Sequence, residues 1–508
     1  MRQPLVRRSN PGMARVTPIS LPAPFGGINA SDSLAGGMQP FEAIDLVNWS
    51  PVEGAVETRP GYRIAVDLGT AAPVPFLHAF DEGQTATIAA SGGKLFKITG
   101  DVPAALQLGS GFNSDVWRPA VLGGRLHLVN GTDAPRSVLG SALVTPAWTG
   151  PADITKLFRV RAHANRLFFA ERGSSSFWYG NLASIQGALT SFDLSGVGSR
   201  GGSIEDIAVI TPDGGRSGDD DAIVFFMSSG EAIMYRGSNP GDAAAWARVG
   251  VFTATRPIAS ETFGGDVLTV SADGYAELSR LLPSGRSPVA GFGTKIGRLA
   301  ASAIARFGRN PGWQLLYDPR SRLVLIHIPQ TSRFAEQHVM SVATGAWGRW
   351  RDLPASSWGH IGDDLAFGTM DGKIARMTGA SDLGRPIVAV GQGSWQTMGL
   401  AGRRKRVTSV RPIVTSQVSP FVTPLLGVDF KEPRRGVAIQ SAESADIGRW
   451  DQSVWDRAVW GGADRVTTEL QGVGGVGDFL SVGLRADTRA GAVRWLSTTL
   501  TIEAGGLA

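Results

Sequence analysis

The sequence predicts an all-β protein built around an irregular β-propeller of about six to seven blades, with segments of different texture before and after it. Three observations predict this. Glycine occurs 67 times in 508 residues, close to twice the usual share of about 7%. With 29 prolines and no collagen period, that usage points to many turns between short strands. The third observation is a repeated unit: an alternating apolar run, a tight Gly, Asn or Asp turn and a second alternating run, the pattern of a β-hairpin.

Phe76 to Ile98 is the first copy, with Thr85 to Ala90, the turn Ser91-Gly92-Gly93-Lys94, and Leu95-Phe96-Lys97-Ile98. Trp117 to Arg136 turns at Gly123-Gly124-Arg125, and Phe158 to Tyr179 turns at Asn165-Arg166. Ile204 to Arg236 carries the insert Asp213 to Asp221 before its turn at Ser229-Gly230, and Glu261 to Leu282 turns at Asp273-Gly274. Trp313 to Trp350 turns first at Ser321-Arg322, and Trp358 to Met377 closes the series with Asp371-Gly372. The units start 41 to 57 residues apart, which is the propeller range. A small sheet cannot bury both faces alone, and stacking blades around an axis solves that while leaving only short edges. Seven units predict seven blades, or six if the unit from Trp313 merges with its neighbour. Several small sandwiches in series are the competing all-β arrangement.

Residues 1–70 read as an N-terminal arm and docking segment, 71–380 as the propeller and 381–508 as a C-terminal β-sandwich domain. Ser20 to Arg63 is rich in Pro and Gly, and Pro40 to Val47 is a short helical candidate, because Pro suits a first helical turn and Phe41, Ile44 and Val47 share a helical face. Phe25, Asn29, Trp49, Arg59 and Tyr62 are the candidate docking residues of this extended arm. After Met377, six alternating runs between Val407 and Ile502 have the count and spacing of a small sandwich.

The 49 Lys and Arg against 44 Asp and Glu give a net charge of +5, which permits nucleic-acid contact without requiring it. The absence of cysteine excludes disulfides, thiolate metal sites and thiol nucleophiles. Met1 to Ser20 is basic and lacks the apolar core of a secretory signal, and no apolar run reaches the ~18 residues of a membrane span, so stable membrane insertion is not expected. The six histidines, His78, His127, His163, His327, His338 and His360, form no i, i+4 metal pair. Asp219-Asp220-Asp221 lacks the ordered spacing of a calcium loop and reads as a solvated turn. Gly472 to Gly477 fits GxGxxG on paper, but Asp478 onward alternates as a strand where the dinucleotide fingerprint needs a helix, so a glycine-rich turn is expected. No catalytic residue, cofactor or metal site is expected.

Two constellations remain. Trp450, Trp455 and Trp460 recur every five residues, matching neither strand nor helix, and read as an apolar seam inside the fold or at an intersubunit contact. Arg403-Arg404-Lys405-Arg406 is a run of four cations that either approaches phosphates or faces water.

Pro24-Phe25-Gly26-Gly27-Ile28-Asn29, then Ala43 to Pro51, then Thr58-Arg59-Pro60-Gly61-Tyr62 resemble the N-terminus of podovirus tail nozzle proteins, the group that includes tail tubular protein B and the packaged-DNA stabilisation proteins. The resemblance continues in Leu365 to Ile374, in Trp450 to Gly462 and in Leu500 to Gly506, so it touches both ends and the middle of the chain. It implies a virion protein of a short-tailed bacteriophage, made in the host cytoplasm: a homohexameric, DNA-conducting tube at the distal tail, attached to an adaptor protein, with tail fibres or spikes as neighbours and double-stranded DNA passing through. It supplies no catalytic residues. A receptor-binding propeller adhesin and a glycan-degrading tail enzyme are the alternatives; the second would need two carboxylates about 5 to 9.5 Å apart in one pocket.

Overall fold

The computed structural model describes residues 16–81, 85–100, 102–211, 221–281, 291–417, 420–437, 439–440 and 465–507. Nearly all of its regular structure is β-strand. The chain divides into two compact units: one takes Gly61–Gly345 and Arg349–Thr378, the other Met1–Pro60, Ala346–Gly348 and Gly379–Ala508. This replaces the three consecutive parts read from the sequence with two interleaved ones.

The first unit is a propeller of seven blades, each a small antiparallel sheet. Blade 1 begins with Phe76–Asp81, blade 2 with Arg118–Leu122, blade 3 with Leu157–His163 and blade 4 with Ile204–Ile210, and each of these four sheets has four strands. Blade 5 is a three-stranded sheet, Ala259–Phe263, Asp266–Ser271 and Gly274–Glu277. Blade 6 runs from Gln314–Asp318 through Leu323–Pro329 and Ala335–Ser341 to Trp347–Leu353. The hairpins form where the sequence places them because their turns suit the strand twist. At Ser91–Lys94 both central residues are glycines with positive φ, Gly92 at 63° and Gly93 at 70°, the geometry of the mirror-image turn that tight hairpins favour.

Blade 7 holds the ring shut. Ala355–Ile361, Asp364–Thr369 and Lys373–Met377 supply three strands, and the fourth is Tyr62–Asp67 from the start of the unit, antiparallel to Lys373–Met377 with Tyr62 opposite Met377. Tyr62 is therefore a propeller residue and not part of a docking arm. It is buried, with its ring edge-on to Phe367 at 5.1 Å. The first strands of blades 2 to 7 touch in order, and that of blade 7 returns to Phe76–Asp81 of blade 1.

Apolar seams bind neighbouring blades. Phe76, Phe80 and Ile88 of blade 1 pack with Trp117, Leu126 and Leu128 at blade 2. Phe168 and Phe177 of blade 3 pack with Ile223, Phe225 and Tyr235 of blade 4, and Phe177 stacks on Phe225 at 4.4 Å. Leu68 and Ile374 at blade 7 pack with Leu77 and Phe96 of blade 1. Removing this area from water is the main favourable term in the fold. Between blades 5 and 6 the contact is more polar: the Tyr275 hydroxyl lies 2.9 Å from His338 Nδ1. Two short helices, Leu278–Leu281 and Gly297–Phe307, lie in sequence between these blades. The second buries Ala300 and Ile304 and was not anticipated in a sequence read as all-β.

The second unit is a β-sandwich. In one sheet, the long strands Arg403–Ser416 and Val493–Leu507 pair antiparallel, and Val16–Pro22 and Ala55–Thr58 join the outer side of Val493–Leu507. In the other, Ala43–Val47, Arg385–Gly393, Leu480–Thr488 and Phe421–Val428 lie in that order. Val407, Val410, Leu500 and Ile502 of the first sheet meet Leu426, Leu480 and Val482 of the second in one core, with Ile19 and Leu21 packed against it. Residues 16–60 thus complete both sheets and do not form a free strap.

The helix expected over Pro40 to Val47 is a correction of the same kind. Ala43–Val47 is a strand paired with Arg385–Gly393. A short isolated helix gains little by itself, whereas β-branched Ile44 and Val47 suit a strand whose backbone groups find partners on a neighbour.

Candidate functional site

Of the candidate docking residues, Asn29, Trp49 and Arg59 are internal pillars of the sandwich. Asn29 is buried, and its side-chain amide donates to Asp32 Oδ2 at 2.7 Å and to Glu42 Oε2 at 2.9 Å, while its Oδ1 accepts from the backbone of Ser31 and Asp32. Trp49 is fully buried 6.1 Å from Trp495. Phe25 stacks on Phe41 at 5.3 Å. Arg59 is also buried, and its guanidinium grips both oxygens of Asp382, at 2.9 and 2.6 Å, while Nε donates to Asn48 Oδ1 at 3.0 Å. Asn48 adopts a left-handed conformation, φ 58°, and donates to Val388 O at 2.9 Å. Asn29, Trp49 and Arg59 are thus enclosed in the sandwich and Tyr62 in blade 7, whereas Phe25 is half-exposed.

The basic run is divided by strand alternation at Arg404, Lys405 and Arg406, and a register shift between Arg403 and Lys405 leaves Arg403 outside as well. Arg403, Arg404 and Arg406 are exposed, whereas Lys405 is fully buried. Lys405 Nζ donates to the carbonyls of Arg403 and Asp478, each at 2.7 Å. Burial pushes its pKa down, partly offset by Asp478 and Asp429. Arg406 lies 3.6 Å from Glu503 on the neighbouring strand. Three of the four cations, not four, can therefore meet a polyanion. Trp450, Trp455 and Trp460, together with Asp219 and Asp220, lie outside the described residues. The glycine run from Gly472 continues into the strand Gly475–Gly477, paired with Lys405–Val407, and then into Leu480–Thr488, so no helix N-terminus stands there to receive a phosphate.

The propeller axis holds a charged group that sequence reasoning missed. Arg118 on blade 2, Arg159 and Arg161 on blade 3, Asp206 on blade 4 and Glu261 on blade 5 all come from first strands. Arg159 Nε donates to Asp206 Oδ1 at 2.9 Å, Ser260 Oγ donates to Asp206 Oδ2 at 2.7 Å, and Arg161 Nε donates to Ile207 O at 3.0 Å. For Asp206, burial favours the neutral acid, but Arg159, Arg161, Ser260 and Arg118 together outweigh it and hold the pKa below the usual carboxylate range. Burial pushes Glu261 up despite the attraction of Arg161. Arg118 is brought down to about 10 by burial and by the nearby Arg159 and Arg161, against the pull of Asp206. His78 on blade 1 is lowered to about 4 by burial and by Arg161. Arg159 and Arg161 share one strand, but the other contributors each come from a different one, so no local motif announces the whole cluster. The available signal was the pair of arginines alternating with buried apolar residues in Phe158-Arg159-Val160-Arg161.

A second buried network lies on blade 6. Glu336 accepts from Arg349 at 3.0 Å and Arg351 at 2.9 Å, and His338 Nε2 lies 3.4 Å from it. Among the described residues no group of three or more His, Asp or Glu is arranged to hold a metal ion, and no helix is long and apolar enough to cross a membrane.

Fold and sites together define an all-β protein, a seven-bladed propeller unit joined to a β-sandwich unit, with charge gathered on the inner strands of blades 2 to 5 and in structural clamps. No family model matches the chain and no curated protein matches it. Solved structures with some likeness include BBS1N in complex with ARL6DN, at 13% identity and a TM-score of 0.40 over 64% of this chain and all of that one. The mitotic checkpoint complex gives 10% identity and 0.40 over 62% of this chain and 94% of the other. YCF48 bound to D1 peptide gives 11% and 0.37 over 63% and 97%. At these scores the assignment of the fold rests on the strand pairing of the chain itself.

Proposed function

We propose that this chain is a structural, non-catalytic subunit of the tail of a short-tailed bacteriophage: a tail-nozzle protein that assembles as a homohexameric ring at the distal end, joins an adaptor ring and lets the genome pass. One observation carries the reading. Of the segments that resemble podovirus nozzle proteins, Pro24 to Asn29, Ala43 to Pro51 and Leu500 to Gly506, from opposite ends of the sequence, fall in the sandwich unit; Thr58 to Tyr62 runs from it into the propeller unit, Leu365 to Ile374 belongs to the propeller, and Trp450 to Gly462 lies outside the described residues. Within the sandwich unit the resembling segments supply the buried Asn29, Trp49 and Arg59 and the strand that pairs with Val16–Pro22. Closed cyclic symmetry is the usual outcome of head-to-tail interfaces between identical chains. Exposed Arg403, Arg404 and Arg406 are the residues of the run available to DNA or to an acidic neighbour, and contact there is sequence-independent and weakened by salt.

The test is a nonsense mutation in the gene, propagated on a non-suppressing host. Particles lacking the chain should have shortened tails and lose DNA, and supplying the protein in trans should restore both. Normal tails and full heads without it would refute the nozzle role.

A further inference from the structure

We draw no further inference here: the strongest candidate, the uncharged outer strand Ala104–Ser110 of blade 1 with its exposed Leu106, carries nothing because nothing in the structure shows what covers it.

Discussion

Arg59 and Asp382, 323 residues apart, form a buried two-point ion pair at 2.9 and 2.6 Å in the sandwich unit. With Asn48 beside it, the pair fastens the last of the N-terminal strands to the C-terminal half of the chain. A guanidinium in this position reaches both oxygens of Asp382 and Oδ1 of Asn48 from one plane, which lysine cannot reproduce.

Arg59→Met should therefore leave Asp382 buried without a counter-charge and lower stability by about 3–5 kcal/mol. Arg59→Lys should recover only a minor part. Urea unfolding followed by tryptophan fluorescence measures both; wild-type stability in Arg59→Met would mean the clamp contributes nothing net.

The N-terminal strands give a second prediction. Deleting residues 16–60 removes strands from both sheets of the sandwich but leaves Tyr62–Asp67 in place, so limited proteolysis should digest the sandwich while a propeller fragment persists. Extending the deletion through Asp67 should open blade 7 and destroy that fragment. Tyr62→Ala, which empties the contact with Phe367, should cost about 3–5 kcal/mol. An intact sandwich in the first deletion would restore the idea of a detachable arm.

These two regions show what could be read from the sequence. Hairpins such as Thr85 to Ile98 were legible because turn and strands are contiguous, and Gly92 and Gly93 mark the turn. All seven first strands begin within three residues of the starts inferred from pattern alone. The strand Tyr62–Asp67 was not legible as part of blade 7, because its partner Lys373–Met377 lies over 300 residues away and nothing local encodes that pairing. Pro40 to Val47 shows helical spacing and strand-forming residues in one short stretch, and the neighbouring strand decided between them. In the basic run the charge was legible, but the inward turn of Lys405 depended on register with Gly477 and Ala504.

The basic run can now be tested by position. Arg404→Ser and Arg406→Ser should change stability by less than about 0.5 kcal/mol. Lys405→Ser should cost roughly 2–4 kcal/mol, because it strands two buried carbonyls and leaves a cavity. Genome retention in virions should fall with the exposed arginines if they meet DNA. A loss confined to Lys405→Ser would instead trace the effect to folding.

Glu336 sets an acid limit. Burial opposes its ionisation, but the His338 hydrogen bond and the guanidinium groups of Arg349 and Arg351 outweigh it and hold the pKa at about 2, against 4.5 for the free side chain. A carboxyl depressed in the folded state stabilises above the unfolded value, and that contribution is lost as pH falls through the folded one. The propeller should lose this stability between about pH 4.5 and 2, and Glu336→Gln should flatten the slope of the urea midpoint in that window. An unchanged slope would contradict the network.

The histidines act in a higher window. Burial lowers His127 to about 4 and His327 to about 3. The unfolded chain therefore binds more protons below pH 6.5, and stability falls as pH drops from 6.5 toward these values. His327→Gln should reduce that slope in urea titrations between pH 7 and 4. An equal slope in wild type and variant would show that His327 ionises without penalty.

The nozzle reading itself is tested most directly by electron cryomicroscopy of intact virions with the tail reconstructed at high resolution. The account predicts six copies of the seven-bladed unit arranged around a DNA-sized channel at the distal tail, with the adaptor ring above them. Absence of this chain from the tail, or its presence there only as isolated single copies, would contradict it.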